Sequence, residues 1–125
     1  MKSTDFWPDK DFWEGKILFF ETSENKPSPE QVKWMLRNYG VQGVFEKISA
    51  LLFGRPRDYS NEEKKELDEN IVKVVKTEFK NKNLPIITNM DFGHTDPQWI
   101  LPLGIKAEID CNKKEFKLIE KIFED

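Results

Sequence analysis

The chain has one histidine, one cysteine and no excess of positive charge, and each shortage closes off a class of function. Cys111 has no second cysteine to pair with, so no internal disulfide staples the fold. No cationic segment followed by an apolar one opens the chain, and with that cysteine usage the expected location is cytoplasmic. A formal net charge of −3 and a pI near 5.3 leave no basic field to gather phosphates or anionic lipid. Neither nucleic acid nor a membrane surface is an expected partner, and no apolar run approaches the roughly 20 residues that span a bilayer. A single imidazole with scattered carboxylates gives no metal-ligand spacing, and the pairs Asp91/Asp96 and Glu62/Glu63 suit turn and cap roles; no metal or cofactor is expected.

What is present suits one folded domain. A length of 125 residues, with 38% apolar and 13% aromatic residues, can bury one sizeable core but not two. Residues 1–16 are polar with Phe6, Trp7 and Trp13 and follow no helical or strand period, so they read as a connector. ILFFE (17–21) is a continuous apolar run, the pattern of a strand covered on both faces. Ser28-Pro29-Glu30-Gln31 supplies an N-cap hydroxyl, a proline at the first helical position and a glutamine placed to close a capping box. Val32, Met35, Leu36 and Tyr39 then share one helical face, and Gly40 is expected to stop the helix in a left-handed conformation.

A short helical turn at 44–47 precedes a second buried strand in ISALLFG, which ends in the turn-forming RPRDYS. Ser60 and Glu63 form a second capping box, and Leu67, Ile71, Val74, Val75 and Phe79 line the helix it starts. LPIITNM is a third buried strand. The tail alternates Ile105, Ala107 and Ile109, then Phe116 and Leu118 across a CNKK turn, and is expected to form a hairpin on the sheet. The order argues a single α/β domain whose mixed central sheet begins with parallel strands and crossover helices and ends in an antiparallel hairpin. In open α/β sheets the working groups lie beyond the carboxyl ends of the strands. Here those ends carry Glu21, then Gly54-Arg55, then Asp91 and His94.

Glu21 and His94 stand seventy-three positions apart, yet the fold can bring them to one edge. A carboxylate on one imidazole nitrogen fixes the tautomer and leaves the other nitrogen to take a nucleophile's proton. On residue types alone two readings stay open: a proton-handling pair, or a loop histidine and a strand-ending carboxylate that caps or pairs with something else. Asp91, Thr95 and Asp96 are expected to stiffen the histidine loop by local side-chain hydrogen bonds. Arg55 and Arg57 in GRPRD either clamp a carboxylate at that edge or belong to a solvated turn. Trp99 either lines a substrate site or packs in the core or a dimer contact.

A nucleophile is missing. None of Ser3, Ser23, Ser28, Ser49 and Ser60 sits in a Gly-flanked strand-to-helix elbow beside oxyanion donors, and Cys111 lies among lysines with no base nearby.

GKILFFETSE, a Gly-Val-Phe-Glu-Lys-Ile segment leading to ALLFGRP, and LPIITNMDFGHTDPQWILPLGIKAEID, in that order, resemble the C-terminal domain of the LD-carboxypeptidase family. These are serine peptidases that include muropeptide LD-carboxypeptidases and microcin C self-immunity peptidases, and FFETSE with DFGHTDP looks nearer the latter. The likeness runs from about Trp7 onward. It implies a Ser-Glu-His triad whose serine belongs to an N-terminal domain, and whose glutamate and histidine carry over to Glu21 and His94. On that footing residues 1–16 are the connector from a missing N-terminal domain and 17–125 the C-terminal-type domain. The implied parent hydrolyses an amide in a short peptide or muropeptide-like substrate, this chain alone lacks the nucleophile, and its partners are the Ser-bearing domain and, as a further candidate, a second copy in a homodimer. A standalone, non-catalytic binding domain that keeps the fold is the alternative, because fold alone does not determine function.

Overall fold

The computed structural model of the chain describes residues 6–121. Strand β1 (Ile17–Phe20), helix α1 (Pro29–Val41), strand β2 (Ala50–Gly54), helix α2 (Asn61–Val72) and strand β3 (Ile86–Met90) alternate along the chain, followed by β4 (Ala107–Asp110) and β5 (Glu115–Leu118). The first three strands form a parallel sheet in the order β1-β2-β3, with Ile17 to Phe20 in register with Ala50 to Phe53. Successive crossovers of one hand in that order lay both helices on one face.

The side-chain alternation of β2 accounts for its unbroken apolar run. Leu51 and Phe53 point to the helices and pack with Val32, Leu36, Leu67, Ile71, Val74 and Val75. Leu52 points the other way, to Met90 and Phe92, with Ile109 and Phe116 of the hairpin against them. All five residues of β2 are buried, as a central parallel strand requires. The hairpin β4–β5 forms with the expected antiparallel pairing, Ala107 opposite Leu118 through Asp110 opposite Glu115. It makes a separate two-stranded sheet packed on the open face of the first rather than adding strands to it.

Both capping boxes are present: Ser28 accepts from the Gln31 amide, and Ser60 from the Glu63 amide, with each N3 side chain reaching back. Gly40 departs from expectation. The helix runs through it to Val41, and the left-handed residue is Gly43, at φ 77°. Gly40 is buried instead because the Phe79 ring lies where its Cβ would stand. The periodicity of the second helix also conceals a change of pitch: residues Lys73–Glu78 widen to π geometry, and the Phe79 amide bonds back to the Val74 carbonyl at 3.0 Å. Upstream of β1, a 3-10 turn at Lys10–Trp13 sets Trp13 beside Trp7 and Tyr39, with both tryptophans packed against the helix-side core. Residues 1–5, at the start of the expected connector, lie outside the described residues.

Candidate active site

Because the three strands are parallel, the residues that follow them meet at one edge. Glu21 is the first residue past β1, Arg55 the first past β2 and His94 the fourth past β3. The loop carrying His94 leaves β3 in a tight backbone path: the amides of Phe92 and Arg55 both donate to the Met90 carbonyl, at 2.9 and 2.6 Å. Gly93 follows at φ 87°, a conformation that favours glycine. A Cβ there would collide with the Glu21 carboxylate, so its absence lets the loop rest directly on Glu21.

The contact that results is chelating. One oxygen of Glu21, Oε2, accepts from the His94 backbone N–H at 2.7 Å and lies 2.8 Å from His94 Nδ1. The second ring nitrogen is also engaged: Nε2 stands 2.9 Å from Oε2 of Glu24. With a carboxylate oxygen on each nitrogen, both nitrogens are best satisfied as donors, which suits the imidazolium. The His94 pKa is correspondingly raised above the ordinary value, mainly by the hydrogen bond and charge of Glu21 and less by the charge of Glu24. Partial desolvation and the Arg57 guanidinium oppose the rise. The ring is 41% exposed, so the pair is open to a group approaching from outside the domain.

Arg55 does not face outward. Its Nε and Nη2 lie 3.1 and 2.9 Å from Oδ1 of Asp91, and Nη2 also donates to the carbonyls of Asp96 and Pro97, at 3.1 and 3.4 Å. Asp91 therefore reaches across to β2 instead of bonding within its own loop. Arg57 is exposed and lies 3.6 Å from the neighbouring Asp58. Trp99 is 52% exposed, outside the core, and its amide is tied to the Asp91 carbonyl. Of the four described serines, Ser28 and Ser60 cap helices, Ser49 donates to the Gly15 and Lys16 carbonyls and Ser23 accepts from the Asn25 amide at 3.4 Å; Ser3 lies outside the described residues. Glu24 is the site residue that residue patterns missed. The signal was a second carboxylate within the same FETSE motif, but its reach to Nε2 depends on the turn that ends at Lys26, at φ 48°.

The family model for the LD-carboxypeptidase C-terminal domain matches residues 1–109. The chain belongs to that family. Two curated relatives align over 107 residues, 86% of this chain: a carboxypeptidase-named protein of Vibrio cholerae at 31% identity and the microcin C7 self-immunity protein MccF of Escherichia coli at 28%. This LD-carboxypeptidase-type domain spans 30% of the length of each. Among solved structures, an MccF-like protein from Streptococcus pneumoniae in complex with AMP superposes with a TM-score of 0.75 at 36% identity, over 90% of this chain and 32% of that one. The domain is thus similar in fold and sequence to proteins of the carboxypeptidase and microcin-immunity kind.

Proposed function

We propose that this domain supplies the glutamate and histidine of a Ser-Glu-His triad for amide hydrolysis on short peptide or peptidyl substrates. The observation that carries the reading is the double contact of one Glu21 oxygen with the His94 backbone N–H and Nδ1, within a domain of this family. It leaves Nε2 as the proton-accepting atom. A serine brought by an N-terminal domain loses its proton to Nε2 as it attacks the amide carbon. Glu21 stabilises the imidazolium that forms, and the same proton then passes to the leaving amine. Glu24 must yield its place at Nε2 to that serine. Arg57 and Trp99, both exposed near this edge, stand on the substrate side, where a guanidinium suits an anionic group of a peptide or of a peptidyl nucleotide. The AMP bound by the Streptococcus pneumoniae relative is in keeping with the second class.

The chain alone is expected to hydrolyse neither LD-muropeptides nor aminoacyl sulfamoyl nucleosides of the kind bound in MccF complexes, and to resist labelling by a serine-directed fluorophosphonate. Mixing or fusing it with a Ser-bearing family N-terminal domain should restore cleavage. Glu21→Ala or His94→Ala should then lower kcat by roughly 10⁴-fold or more. Stoichiometric labelling of the isolated chain, or full activity of the reconstituted His94→Ala protein, overturns the proposal. A folded mixture that binds these substrates without cleaving them returns the alternative of a standalone binding domain.

A further inference from the structure

Arg55 has more hydrogen-bonded partners than any other side chain at this edge, and all of them belong to the segment that carries His94. One partner, Asp91, begins that segment, and the other two, the Asp96 and Pro97 carbonyls, end it. The guanidinium thus closes residues 91–97 into a ring, with His94 at its middle. Gly54 completes the fastening, since the Phe92 carbonyl and ring lie where a Cβ at 54 would stand. The loop is held to the end of β2 on one side and rests on Glu21 through Gly93 on the other.

We propose that Arg55 is a positioning residue for His94: its forked contact across residues 91–97 holds the imidazole in reach of the Glu21 carboxylate. This rests on the reading of Glu21 and His94 as the proton-handling pair. The motif GRP, which by composition suits an external clamp for a substrate carboxylate, serves in this assignment as an internal clamp on a catalytic loop. The planar fork matters, because one group must reach a carboxylate and two carbonyls in different directions. A lysine keeps the charge but not that reach.

The test uses the isolated chain, whose single imidazole gives one unambiguous set of ring signals in an NMR titration. The charged groups facing His94 are Glu21 past β1, Glu24 in the turn after it and Arg57 in the turn after β2. Charge and position make opposite predictions for Arg55→Met. Loss of a nearby cation alone raises the His94 pKa, whereas release of the loop from Glu21 lowers it. The expected result is a fall toward the value of the Glu21→Gln variant, with the Nδ1 signal losing its carboxylate-bonded character. Arg55→Lys, which retains the charge, should fall as well, and it carries the reading if Arg55→Met does not fold. A folded Arg55→Lys or Arg55→Met protein whose His94 pKa is unchanged or raised overturns the proposal. If Glu21→Gln itself leaves His94 unmoved, it is the pairing of Glu21 with His94 that fails, and the two failures are told apart. In a reconstituted enzyme Arg55→Lys should lower kcat with little change in KM, the split expected when an interaction made in the transition state is lost.

Discussion

At the scale of the residue, His94 is governed by two carboxylates of unequal weight. Glu21 holds Nδ1 and the backbone N–H, whereas Glu24 holds only Nε2 and is the more exposed of the two, at 64%. Glu24→Gln is therefore expected to lower the His94 pKa, but by less than Glu21→Gln does, in the same ring-signal titration. The sign for stability follows from the raised folded-state value. A histidine protonated more readily in the fold than in the unfolded chain, where its pKa is ~6.5, adds stability that is complete below that value. The contribution is lost as pH rises through the folded-state pKa. The difference in urea midpoint between the parent and Glu21→Gln should thus be larger at about pH 6 than at about pH 9; a difference independent of pH would contradict it. In a reconstituted peptidase the hydrogen bond and charge of Glu21 move the onset of activity upward, because the base acts as neutral imidazole.

At the scale of the element, what was legible was what depends on near neighbours in the chain. Ser28 with Gln31 and Ser60 with Glu63 are three residues apart, and both boxes close as their spacing implied. The three parallel strands were readable from their apolar runs, but only the central β2 is buried along its whole length. At the edges of the sheet β1 and β3 are partly buried, with Phe19 and Asn89 exposed, because coverage on the second face comes from the hairpin alone. Glu21 and His94 were readable as neighbours only because parallel strands deliver their carboxyl ends to a common edge. Features set by distant partners were not legible. Gly40 carries every local sign of a helix stop, yet its role is decided by Phe79, thirty-nine positions on. The GRPRD turn shows two arginines of equal promise, and only the fold shows that Asp91 takes the first. Gly40→Ala separates the two readings of that glycine. Relief of helix entropy alone would stabilise by up to ~1 kcal/mol, whereas collision with Phe79 should destabilise by about 1–3 kcal/mol. A lowered urea midpoint with an unchanged slope is the expected outcome. Ser60→Ala, by comparison, should cost about 1 kcal/mol through loss of one cap.

At the scale of the whole molecule, the sheet's two faces are unequally covered. The helix side is closed, while on the hairpin side Phe12, Phe19, Leu103, Leu118 and Ile119 remain exposed around an open groove of about 800 Å³. Ile100 and Leu103, in the stretch between β3 and β4, are 94% and 74% exposed. Apolar surface gathered in this way favours association, so the isolated domain is expected to self-associate as concentration rises. Light scattering that shows a monodisperse monomer at high concentration would count against it. Among the described residues no helix is long and apolar enough to cross a membrane. One consequence follows from the placing of the pair. Glu21 and His94 are attached to the two outer strands, and the gap of two strand spacings between those strands, roughly 10 Å, is crossed beyond the end of β2 by the loop, which sets Gly93 and His94 directly against Glu21. The Glu21–His94 contact thus spans the sheet from one outer strand to the other, and parting either strand from β2 separates the pair.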